Sequence, residues 1–196
     1  MQVNFLYFIP IVAIAALVLI DQVARHRSFN KATGLFEQGK YQELLNYLDE
    51  RYARLFYPRY NRLYLKYRTY DAMGDAKRAG ETIEHLFAAK PSDSQLADLL
   101  IQAFDFYLRN KDFDRARTML ERIEKLDELA PAAPELRTLF SIVVDGDISH
   151  IEEMKAQLSS ADKPTKQRLL YLLAKQYETM GNKDEANRCR KLMSEV

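Results

Sequence analysis

The feature that most constrains this chain is the even spacing of its helix breakers. Gly39, Gly74, Gly146 and Gly181 each separate two apolar-periodic stretches, and Lys111 holds the equivalent place in Arg109-Asn110-Lys111-Asp112-Phe113. Successive turns lie 35, 37, 35 and 35 residues apart. Five positions after each turn comes an apolar residue, Leu44, Ala79, Ala116, Ile151 or Ala186, so one register is expected across five units. Pro58, Pro91, Pro131 with Pro134, and Pro164 fall between units, where proline ends one helix or opens the next. Within units the apolar spacing is helical: Leu96, Leu99, Leu100, Ala103, Phe104 and Tyr107 form one stripe, answered by Phe113, Ala116, Leu120 and Ile123. Each unit therefore reads as a helical hairpin, over about 29–57, 58–90, 92–130, 132–160 and 163–196. A lone hairpin cannot bury both faces, so neighbours are expected to stack into an all-α solenoid whose polar last helix, 184–195, serves as a cap.

Ahead of the repeats, residues 3–20 hold one clearly polar side chain, Asn4, and residues 5–20 carry no charge. At ~1.5 Å per residue this run reaches about 27 Å, close to the ~30 Å hydrocarbon core of a bilayer. A cleaved signal peptide wants basic residues before the apolar core and small residues after it, and neither is found here. Residues 1–24 are accordingly expected to be an uncleaved single-pass anchor, with 25–196 as the repeat domain. Arg25, Arg27 and Lys31 follow the apolar run and nothing basic precedes it, which places the repeat domain in the cytoplasm by the positive-inside rule. No proline separates Ile20 from the first turn, so the spanning helix either continues into the first repeat helix or kinks between residues 25 and 30.

Composition argues against chemistry. The 196 residues, 47% apolar and 29% charged, suit a folded protein, and 29 Lys and Arg nearly cancel 28 Asp and Glu, which disfavours a dedicated nucleic-acid binder. One cysteine cannot form an internal disulfide or a multi-Cys zinc site, and His26, His85 and His150 stand singly. There is no Gly-rich phosphate loop, no His-Glu-x-x-His and no nucleophile turn. We therefore expect no catalytic residue, no cofactor and no metal. Cys189, between Arg188 and Arg190, reads either as a thiol of lowered pKa or as a small apolar contact.

Gly74-Asp75-Ala76-Lys77-Arg78-Ala79, Lys111-Asp112-Phe113-Asp114-Arg115-Ala116 and Gly181-Asn182-Lys183-Asp184-Glu185-Ala186 resemble the tetratricopeptide repeat, whose period is 34 residues. So do Leu35, Tyr70, Tyr107, Ile142 and Tyr177, four residues before each turn. The resemblance covers roughly residues 29–196; it departs from the family in having no Trp, Ile151 at a small-residue position and Lys111 in place of Gly. It implies a concave face, lined by the first helix of each unit, that binds extended peptides or partner helices. The groove positions it assigns are Asn61, Tyr64, Arg68, Asp98, Gln102, Asp105, Arg137, Phe140, Arg168, Tyr171 and Lys175. The clamp with which some members hold a terminal carboxylate is missing, since its places are Phe29, Thr33, Leu65, Asp98 and Gln102. A membrane-associated protein or peptide partner is implied, no small-molecule substrate, and self-association stays open.

The segment 51–70 carries Arg51, Arg54, Arg59, Arg62, Lys66 and Arg68, seven aromatics and no acid. On a helix opening near Pro58, Tyr60, Tyr64, Tyr67 and Tyr70 share a stripe with Leu63, and Arg59, Arg62 and Lys66 form a basic row beside it. The alternatives are a tyrosine packing stripe with a solvated basic edge, contact with anionic lipid, or binding of single-stranded nucleic acid.

Overall fold

The computed structural model describes the backbone of residues 8–195 and the side chains of residues 17–195. Among the described residues the chain is all-helical, with no strand and with helical-repeat-like packing. The helices are α1 (Phe8–Glu37), α2 (Tyr41–Asp49), α3 (Arg51–Phe56), α4 (Arg59–Ala72), α5 (Ala76–Ala88), α6 (Asp93–Arg109), α7 (Phe113–Glu124), α8 (Ala133–Phe140), α9 (Ile151–Leu158), α10 (Lys163–Thr179) and α11 (Lys183–Glu195). Two compact units divide between Leu99 and Leu100.

The breakers do what their spacing predicts. Gly39, Gly74, Gly146 and Gly181 all have positive φ, and so does Lys111, at 60°. Four of the turns share one hydrogen-bond pattern: the N–H of the residue after the left-handed position donates to the carbonyl four residues before it. The acceptors are Leu35, Tyr70, Tyr107 and Tyr177, with bonds of 2.9 Å in each case. This satisfies the carbonyls that a helix end leaves orphaned. Helix α5 then opens on Asp75, which accepts the N–H of Arg78 at 3.0 Å, and α7 on Asp112, which accepts that of Arg115 at 3.3 Å.

The fourth unit breaks the register. A π segment, Ser141–Asp145, follows α8, and Asp147 N–H bonds to the carbonyl of Ser141, one residue earlier than Ile142. One extra residue is thus absorbed before Gly146. Its second helix begins five residues after Gly146, where the other four begin two after their turn. Ile151 consequently opens α9 only partly buried, and Met154 takes the inward place that Leu44, Ala79, Ala116 and Ala186 hold in their units.

In the first unit α2 and α3 pack on α1 around Ala32, Leu44, Tyr47, Leu48, Ala53 and Tyr57. The Tyr47 hydroxyl, buried, donates to the Ser28 hydroxyl at 2.8 Å. In the second, α9, α10 and α11 close over Ile142, Met154, Leu169, Leu170, Leu173, Tyr177 and Ala186.

Helix α1 runs unbroken through residues 25–30, so of the two expectations for this stretch the continuous helix holds and the kink does not. The anchor expected over 1–24 begins outside the described residues. Among the described residues, no helix is long and apolar enough to cross a membrane.

Candidate functional site

In the first unit the expected groove positions Asn61, Tyr64 and Arg68 lie on α4, with Asp98 on the opening part of α6. Asn61, Arg68 and Asp98 are exposed and Tyr64 is half-buried. Tyr64 stacks on Tyr60 with ring centroids 6.5 Å apart and meets Tyr67 at 6.3 Å, and the Arg68 guanidinium lies 5.8 Å from the Phe36 ring. The Tyr60 hydroxyl donates to the Gln95 carbonyl at 3.1 Å, and burial, with Tyr64 and Asp98 nearby, pushes its pKa up to about 12. Tyr67 is buried, and Arg78 covers the Tyr70 ring at 4.9 Å. These contacts are those of a packing stripe: the aromatic faces are largely spent on one another.

The basic row is less basic than its own segment suggests. Lys66 pairs at 2.7 Å with Asp49, the last residue of α2, which also lies 3.8 Å from Arg54. Arg62 is half-buried, and that burial, with Arg54 beside it, lowers its pKa. Arg59 remains exposed.

In the second unit Asp105, Arg137, Arg168 and Tyr171 are exposed, while Gln102 and Lys175 are half-buried. Arg168 pairs with Glu135, Arg137 with Glu124 at 2.7 Å, and Lys175 with Glu178 at 3.1 Å beneath the Tyr171 ring. Phe140 corrects the expectation. It is 3% exposed, packed on Phe104 at 6.4 Å and covered by the Arg117 guanidinium at 4.9 Å, so it belongs to the core and lines no surface.

A cleft of about 290 Å³ opens between α8, α9 and α10. Its floor is Leu139, Met154, Leu169 and Leu172, and its rim carries the Glu135–Arg168 ion pair on one side and His150 with Glu153 on the other. Along α10, Arg168, Tyr171 and Lys175 stand at helical i, i+3 and i+7 spacing, so the exposed edge of that helix continues the rim.

Of the cleft residues, Arg168 alone is among the groove positions that the tetratricopeptide resemblance implies. His150, Glu153, Met154 and Gln157 come from the irregular fourth turn and the helix after it, which Gln176 supports from α10. Its buried side chain accepts the His150 N–H at 3.1 Å and donates to the Leu172 carbonyl at 3.4 Å. A buried glutamine at a core position was the available signal, and periodicity does not register it. Cys189 is buried, and that burial together with Glu185 raises its thiol pKa, which favours the apolar-contact reading over the reactive one.

No family model matches this chain, and no curated protein matches it.

Proposed function

We propose that this protein is a noncatalytic, membrane-anchored adaptor that captures a protein or peptide partner on tetratricopeptide-like helical hairpins. The observation that carries the reading is the cleft of the second unit. Its apolar floor takes one or two partner side chains, and the paired charges of its rim fix the direction of the flanking backbone. The adjacent edge of Arg168, Tyr171 and Lys175 supplies residue types enriched at binding hot spots, Tyr and Arg among them. In the first unit Asn61 and Arg68, about a turn to either side of Tyr64 on α4, and Asp98 on α6 offer a smaller polar set. The uncharged run 5–20 followed by Arg25 and Arg27 supports an anchor over residues 1–24 with the hairpins on the cytoplasmic side. Such tethering raises the effective concentration of a captured partner at the membrane.

Affinity capture from detergent-solubilised membranes tests the binding. Partner recovery should be lost on Tyr171→Ala combined with Arg168→Glu, and kept on exchange of Glu121, an exposed residue of α7 away from the cleft. Resistance of the full chain to alkaline extraction tests the anchor, and a reporter fused after Val196 tests its orientation.

A further inference from the structure

Where α3 lies against α1, the molecule exposes an apolar surface with arginines on both helices and at the start of α4. A groove of about 370 Å³ is lined by Leu19, Ile20, Val23, Ala24, Arg27 and Tyr52. Ile20 is 63% exposed, and Leu55, on the outer side of α3, is 71% exposed. A six-residue helix has little reason to present a leucine to water when its own Ala53 is wholly buried. Around this patch stand Arg27, Arg51 and Arg59, which have no ion pair among the described residues, and Arg54, held only loosely by Asp49 at 3.8 Å. Against these cations the neighbouring acids are Asp49, Glu50 and Asp21, the last paired with Arg25 at 2.7 Å.

We infer that α3 and the start of α4 form an interfacial foot that rests on an anionic lipid surface beside the spanning helix. The inference rests on the anchor proposed for residues 1–24. The height is right: the Tyr52 hydroxyl reaches the Ala24 carbonyl, 3.4 Å away, and Ala24 lies only about 6 Å along the helix beyond Ile20, where the uncharged run ends. That is the depth of the head groups, where amphipathic segments insert their apolar side and tyrosines settle. Charge complementarity selects the lipid. Clustered arginines next to a membrane gain about fivefold in association each from an anionic leaflet and nothing comparable from a neutral one. Because α1 is continuous from Phe8 to Glu37, the foot and the anchor together fix how the first unit stands on the membrane. Nucleic acid is the weaker candidate for this patch, since the tyrosines of 51–70 that could stack on bases are engaged with protein: Tyr57 is buried, Tyr60 stacks on Tyr64 and Tyr52 tilts against Phe56.

The chain contains no Trp, so a Leu55→Trp variant of the full protein carries a unique fluorophore. In vesicles of phosphatidylcholine with phosphatidylglycerol, its emission should shift to the blue and be quenched more by a spin label on the lipid head group than by one deep in the acyl chain. That quenching should be lost in pure phosphatidylcholine, in high salt, and in the same variant carrying Arg51→Glu, Arg54→Glu and Arg59→Glu. Unchanged helix content by circular dichroism certifies the charge-reversed protein, and the salt and lipid arms require no further substitution. Retention of that protein on the vesicles after alkaline washing shows the anchor intact; release by the same washing would overturn the anchor whatever the fluorophore reports. The foot itself is overturned by emission indifferent to anionic lipid, by a shift that follows added single-stranded oligonucleotide instead of vesicles, or by quenching that charge reversal leaves unchanged. It is equally overturned by a blue shift in detergent that grows with protein concentration, which would mean a second copy covers Leu55.

Discussion

Lys111 holds at φ 60° the left-handed conformation that glycine holds in the other four turns. A side chain costs about 1 kcal/mol there, because Cβ crowds the following carbonyl. Lys111→Gly should therefore stabilise the protein by roughly that amount and Gly181→Ala should destabilise it similarly, read as opposite shifts of the urea midpoint. At Gly181 a Cβ would meet nothing else within 4 Å, so the cost there is that of the local backbone conformation and not of a clash with surrounding residues. The helix caps set an acid limit. Asp75 accepts hydrogen bonds from the backbone and side chain of Arg78, and Asp162 from the hydroxyl and backbone of Thr165; both carboxyl pKa values are held below the ordinary 3.8. A carboxylate whose pKa is lower in the folded state stabilises above the unfolded value, and that contribution disappears as pH falls through the depressed one. Between about pH 4 and pH 2 the natural protein should thus lose stability more steeply than Asp75→Asn combined with Asp162→Asn. Parallel urea midpoints for the two across that window would contradict the assignment.

Among the elements, α1 and α8 carry the sharpest consequences. If α1 is one rod, spin labels at Gln22 and Glu37 should lie about 22 Å apart in backbone terms, with a single narrow distance distribution. A broad or bimodal distribution would restore the kink. On α8, Phe140→Ala should cost about 3–5 kcal/mol, since it empties a buried aromatic contact with Phe104. Tyr171→Ala, at an exposed site, should stay within about 0.5 kcal/mol in thermal melts while losing the partner. The difference between these two residues marks how far the sequence could be read. Turn positions were legible because a left-handed residue between two amphipathic runs leaves a mark in the sequence, and even Lys111 was placed by spacing. The fourth unit was not, because a π segment takes up one residue without disturbing the 35-residue interval. Borrowed repeat register then put Phe140 on a groove and missed Met154. Asp49 escaped for a different reason: it neutralises Lys66 from α2, two helices earlier and outside the segment 51–70. Contacts between elements, like the Gln176 bond to His150, leave no periodic trace at all.

At the scale of the molecule, the second unit holds a cleft with an apolar floor and a charged rim, and the first an aromatic face largely satisfied by its own rings. That asymmetry is why the proposed partner capture is assigned chiefly to α8, α9 and α10, with α1 carrying the proposed tether. Site-specific photocrosslinking in intact membranes, from Tyr171 with Glu121 on α7 as reference, addresses the adaptor role most directly. A discrete protein adduct from Tyr171, lost on Arg168→Glu and not formed from Glu121, is the expected result. Adducts only to further copies of this chain, or the same products from both positions, would contradict it.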